Sequence, residues 1–109
     1  MNNLQKEIKK TFFQTLEDIK TKENFEKFLS DFLYPEELNL FIKRLAIAYW
    51  LNKKRSYENI KSNLNTTTKE IKEVENKINT QGYKLALKQM EAEEWANKWS
   101  EKIIRFTKQ

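Results

Sequence analysis

One glycine and one proline among 109 residues leave this chain few ways to turn sharply. Ordinary proteins use ~7% Gly and ~5% Pro, and tight β-hairpins need positive-φ residues, which glycine supplies with least strain. An all-β fold is effectively excluded and helices remain. The chain can build a core despite being 34% charged, because 39% of it is apolar and it holds seven Phe, four Tyr and three Trp. That composition is too hydrophobic for intrinsic disorder. At roughly 100–200 residues per domain, the length fits a single helical domain, 1–109.

The same composition removes most chemistry. With no Cys there are no disulfides, thiolate metal sites or cysteine nucleophiles, and with no His the commonest metal ligand and general base are gone. The dense carboxylates, Glu36/Glu37 and Glu91/Glu93/Glu94, have surroundings that read as solvated, so nothing would raise a pKa for acid–base work. The expectation is a protein that is not an enzyme and carries no cofactor or metal. No apolar run approaches 18 residues and the start, Met1-Asn-Asn-Leu-Gln-Lys, has no apolar signal region. A cytoplasmic protein without a membrane partner is expected. The net charge of +5 is uneven: residues 34–55 carry five basic against two acidic groups, and residues 80–109 six against four. The basic cluster Lys53-Lys54-Arg55 suits either the negative end of a helix or a phosphate backbone.

Apolar spacing predicts about six helices. Leu4, Ile8, Phe12, Leu16 and Ile19 repeat at the helical period. Thr21 is a candidate N-cap for a second helix carrying Phe25, Phe28, Leu29, Phe32 and Leu33. Pro35, followed by Glu36 and Glu37, opens a third. Its apolar residues form two stripes, one through Leu38, Phe41, Ile42, Leu45 and Tyr49 and one through Leu40, Ile47 and Leu51, so it must be buried on most sides. A single 109-residue chain has difficulty enclosing such a helix, which points to a homodimer. Ser56 caps a short fourth helix with Tyr57, Ile60 and Leu64 inside. Asn65 suits a left-handed turn, and Thr67 with Glu70 forms a capping box opening a fifth helix on Ile71, Val74 and Ile78. Gly82 stands where that helix needs a C-terminal cap. The last helix, about 83–107, carries Ala92, Trp95, Ala96, Trp99, Ile103 and Phe106 on one stripe. With Lys98, Lys102 and Arg105 this helix could also lie on a membrane surface, but Glu91, Glu93, Glu94 and Glu101 disfavour anionic lipid.

Two short helices over about 56–79, joined by roughly three residues, have the layout of a helix-turn-helix, in which the second helix enters the major groove. A plain αα-hairpin has the same layout. The run Ser56-Tyr-Glu-Asn-Ile-Lys-Ser-Asn-Leu-Asn-Thr-Thr-Thr-Lys-Glu-Ile-Lys-Glu-Val, preceded by Tyr34-Pro-Glu-Glu-Leu and Lys43-Arg44-Leu, resembles the Trp repressor superfamily, and most its YerC/YecD-like branch. The resemblance covers roughly residues 10–90. It implies an all-α intertwined homodimer that binds operator DNA as a transcription regulator. In the family pattern Gly-x-Ser-x-x-Thr-Ile-Ser-Arg, the turn glycine falls on Asn65, the small hydroxyl on Glu70 and the arginine on Glu73. In the family that arginine helps bind the tryptophan corepressor. A glutamate there opposes the ligand's carboxylate, so no tryptophan corepressor is expected.

The predicted DNA contacts are Thr66, Thr67, Thr68, Lys69 and Lys72 at the groove, with Lys53, Lys54, Arg55 and Ser56 on phosphates. Glu73 facing DNA would repel phosphate unless it pairs with Lys69 or Lys77. The alternative is a helical dimer that keeps the scaffold as a protein-interaction module without DNA binding. What separates the two is whether Lys69 and Lys72 form an exposed basic face or are neutralised by Glu70 and Glu73.

Overall fold

A computed structural model describes residues 2–108, with side-chain surroundings for residues 2–94. Among them are six helices and no strands: α1 (Asn3–Asp18), α2 (Lys22–Phe32), α3 (Pro35–Asn52), α4 (Tyr57–Leu64), α5 (Thr68–Glu75) and α6 (Gln81–Lys108). The fold is all-α. Helix starts are fixed where side-chain oxygens satisfy first-turn N–H groups that have no partner inside the helix. Asn2 Oδ1 accepts from the Gln5 N–H at 2.8 Å, and Gln5 Oε1 accepts from the Asn2 N–H at 3.0 Å. Thr21 accepts from Asn24 N–H, Ser56 from Asn59 N–H and Thr67 from Glu70 N–H, each within 3.2 Å. At α3 the carboxylate of Glu37 accepts from the Tyr34 N–H at 2.9 Å.

Two boundaries differ from the sequence expectation. Helix α5 stops at Glu75, short of Ile78, because residues 76–80 tighten into i→i+3 turns such as Lys77 N–H to the Val74 carbonyl at 2.9 Å. Gly82 is not a C-cap. It lies in the first turn of α6 without a positive φ, and a Cβ there would meet nothing within 4 Å.

The chain divides into two compact units, Met1–Leu40 and Phe41–Gln109. In the second, Ile47 and Ala48 of α3, Ile60 of α4, Ile71 and Val74 of α5 and Leu87 of α6 make one buried cluster. Tyr57, Leu64, Ile78 and Tyr83 pack against it. Each isoleucine so enclosed contributes about 1.5–3 kcal/mol through burial. This core orients α4 and α5: their apolar faces point in and their polar faces point out. In the first unit neither α1 nor α2 has a buried residue. Its aromatic side chains meet one another instead, Phe28 stacking on Phe32 at 5.0 Å and Phe12 lying 6.3 Å from Phe32 between ring centroids.

The stripe expected on α6 from Trp95 to Phe106 lies, in its side chains, outside the described residues, as do Lys98, Glu101, Lys102 and Arg105. Among the described residues no helix is long and apolar enough to cross a membrane.

Candidate nucleic-acid interface

The α4–α5 pair is closed at both ends. At the turn, Asn65 takes the left-handed conformation (φ 50°) that ends α4, as its short polar side chain allows. The Lys43 ammonium donates to the Asn65 carbonyl at 3.1 Å, placing a cation from α3 at the negative end of α4. At the opposite end the Tyr57 hydroxyl donates to Glu75 Oε1 at 2.6 Å. That hydrogen bond is the main cause that raises the Tyr57 pKa above its usual value, with burial and the carboxylate charge adding to it.

The basic cluster is an ordered helix ending. Lys54 N–H bonds the Leu51 carbonyl and Arg55 N–H the Trp50 carbonyl, with Lys54 left-handed at φ 64°. This is the hydrogen-bond pattern of a Schellman ending, with lysine where glycine is usual. The Lys53 ammonium pairs with Glu94 Oε2 at 2.7 Å and lies 5.5 Å from the Tyr49 ring centroid. Its pKa is raised, chiefly by the hydrogen bond to Glu94. Arg55 stacks over Trp50 at 4.2 Å and donates to Asn59 Oδ1 at 3.0 Å, so its guanidinium is held beside the start of α4. Ser56 uses its hydroxyl as the α4 cap.

On α5, Ile71 and Val74 face the core while Thr67, Lys69, Lys72 and Glu73 are exposed and Thr68 is half-buried. Neither Lys69 nor Lys72 forms an ion pair among the described residues. The Glu70 carboxylate does not turn toward them. It accepts from the Thr67 hydroxyl at 3.2 Å, so the reciprocal contact of the capping box runs through the side chain and not through the Thr67 N–H. Glu73 makes no pair with Lys69 or Lys77 among the described residues and stands on the surface as an open negative charge.

Thr66 departs from the sequence expectation. It is only 8% exposed, and its hydroxyl has no hydrogen-bond partner among the described residues. In this tight connection Asn65 and Thr67 occupy the outward positions, which leaves Thr66 to point inward. Thr66 is therefore a packing residue of the turn in this conformation and does not reach a groove. Sequence reasoning missed the Tyr57–Glu75 tie and the engagement of Lys53 by Glu94, since both join residues far apart in the chain. Two of the three carboxylates singled out on α6 have structural partners, Glu94 with Lys53 and Glu91 accepting from Asn52 Nδ2 at 2.9 Å. Among the described residues no cluster of Asp or Glu could hold a metal ion.

The protein-family model described as Trp repressor protein matches residues 7–91, from α1 into α6. No curated protein and no solved structure matches the chain significantly.

Proposed function

The chain belongs to the Trp repressor protein family, a family of helix-turn-helix DNA-binding regulators, and from that premise we propose that it is a homodimeric, cytoplasmic transcription regulator whose α5 enters the major groove. One observation carries the choice of DNA over a protein partner. The cations of α5, Lys69 and Lys72, are exposed and unpaired among the described residues, while Glu70 is turned back onto Thr67. Thr67, Thr68, Lys69 and Lys72 are then groove residues, and Lys53, Lys54, Arg55 and Ser56 meet phosphates at the start of α4. Arg55 comes preoriented by Trp50, whereas Lys53 must exchange Glu94 for a phosphate.

A second copy of the chain supplies what the first lacks. Phe41, Ile42 and Leu45 of α3 are 47%, 59% and 36% exposed, although the sequence requires α3 to be covered on most sides. A partner covering them buries well over the ~1,200 Å² of a stable interface, and presents two α5 helices to half-sites about one DNA turn, ~34 Å, apart. Tryptophan is not its effector, because Glu73 puts negative charge where a ligand carboxylate would sit. A calorimetric titration with L-tryptophan should show no heat of binding; micromolar affinity would overturn that assignment.

Mobility shifts with random duplexes at low salt test the reading. Lys72→Glu should weaken binding and flatten the salt dependence, and Glu73→Arg should strengthen binding and steepen it, each by about one phosphate contact, a slope of ~0.9. If both variants bind as the wild type does, α5 is not at DNA and the interaction-module alternative takes its place.

A further inference from the structure

The second unit carries two further cations, Lys84 and Lys88, outside the helix-turn-helix, that the sequence pattern assigns to nothing. A groove runs between the end of α3, the turn after α5 and the first half of α6. Lys54, Lys84 and Lys88 line it, with Leu51, Ile78 and Leu87 as its apolar lining. Lys84 and Lys88 are one helical turn apart on α6 and so share a face. Two carboxylates also line the groove, and each holds a neutral donor: Glu75 takes the Tyr57 hydroxyl and Glu91 takes the Asn52 amide. Neither forms an ion pair with the three lysines among the described residues, which keep all their donors for an outside partner.

We propose that this groove seats DNA backbone phosphates flanking the half-site, with Lys84 and Lys88 extending the contact begun by Lys54. The inference rests on the DNA-binding reading and names a further part of the same interface. Three points favour a DNA backbone as the occupant. Seven of the ten lining residues are exposed, whereas small-molecule sites enclose 70–90% of their ligand, so the groove fits a polymer lying along it. The groove begins at Lys54, which follows Lys53 and precedes Arg55 and the Ser56 cap of α4, so the cations form one track from the α3–α4 turn onto α6. Lysine, a compact charge on a flexible stem, meets phosphates without demanding the planar fork geometry of base recognition.

The test is DNA titration of the full chain over a range of salt concentrations. Lys84→Gln and Lys88→Gln lie on an exposed helix face and substitute one good helix former for another, so folding should be unaffected. Each should lower the salt slope by about 0.9 and weaken specific and random duplexes equally. Lys69→Gln serves as the reference. If Lys69→Gln weakens binding while Lys84→Gln and Lys88→Gln leave affinity and slope unchanged, the groove is not at DNA and the helix-pair reading stands. A wild-type chain that shifts no duplex overturns both. A small anion is the remaining occupant: if inorganic pyrophosphate moves the backbone amide signals of Lys84 and Lys88 and duplex DNA does not, the groove belongs to a diffusible phosphate compound and the proposal fails.

Discussion

The two halves of this chain are built from the same amphipathic spacing and reach opposite ends. Residues 41–109 enclose Ile47, Ile60 and Ile71 at 1%, 0% and 0% exposure. Residues 1–40 enclose nothing completely, although five of the seven phenylalanines are there and Leu4, Ile8, Phe13 and Phe32 are 68%, 61%, 57% and 59% exposed. Periodicity decides that a stripe becomes a helix. It does not decide what covers the stripe. In the second unit four helices contribute to one cluster, so each supplies part of the others' cover. In the first, two helices have only each other and the first turn of α3. Under the proposal a second copy of the chain covers that exposed apolar surface.

The largest effects should separate the units. Ile71→Ala removes a fully buried side chain from the centre of the second unit and should cost about 2–5 kcal/mol, measured by urea unfolding at any protein concentration. Phe32→Ser should leave that core intact and act through association, so that its cost grows as the protein is diluted. Sedimentation gives the direct answer. The wild type should run as a dimer at micromolar concentration and Phe32→Ser should shift toward monomer. A folded 13.3 kDa wild-type monomer would show that the aromatic face of the first unit stays open in solution, and the dimer proposal would fall.

What the sequence made legible follows the same divide between local and long-range causes. The caps at Thr21, Ser56 and Thr67, the start at Pro35 and the left-handed Asn65 all depend on residues within four positions, and each is where local chemistry puts it. The inward faces of α4 and α5 were readable for the same reason. Gly82 misled because a lone glycine after a helix suggests a cap, while here the i→i+3 turns at 76–80 already end α5. Lys54 was unreadable in its left-handed state, since neither glycine nor asparagine signals it. Within the candidate site, the exposure of Lys69 and Lys72 follows from their phase against Ile71 and Val74. The burial of Thr66 and the capture of Lys53 do not, because they depend on how the turn packs and on α6, some forty residues away.

A smaller effect concerns that capture. Glu94 holds Lys53 in the free chain, and under the DNA-binding proposal its carboxylate stands where a phosphate would be. Glu94→Gln should free the amine, tighten duplex binding and steepen the salt slope by about 0.9. Removing a negative charge anywhere nearby would raise affinity somewhat, so the decisive measurement is a double-mutant cycle. In a Lys53→Gln background the effect of Glu94→Gln should vanish. An undiminished effect there would mean that Glu94 acts as a general repulsive charge and that Lys53 is not a phosphate contact.

The smallest effect is an alkaline one, and it too should fall on one unit. Tyr57 and Lys53, both in residues 41–109, have pKa values raised above their usual ones, each caused first by a hydrogen bond to a carboxylate, Glu75 and Glu94. A group whose folded pKa is raised contributes its stability below the unfolded value and loses it as pH rises through the folded value. Tyrosine ionises at ~10 and lysine at ~10.4 when unperturbed, so the contribution is complete at neutral pH and fades only above about 10. Tyr57 ties the start of α4 to the end of α5. Its ionisation sets a phenolate against the Glu75 carboxylate, and the pair should part. Backbone amides of α4 and α5 should therefore lose hydrogen-exchange protection above pH 10 before those of α1 and α2 change, after correction for intrinsic exchange. In Tyr57→Phe the tie is absent at every pH, so α4 and α5 should be slightly less protected at neutral pH and show a weaker alkaline step. An alkaline step of equal size in Tyr57→Phe would assign it to another group and remove Tyr57 as the latch of the helix pair.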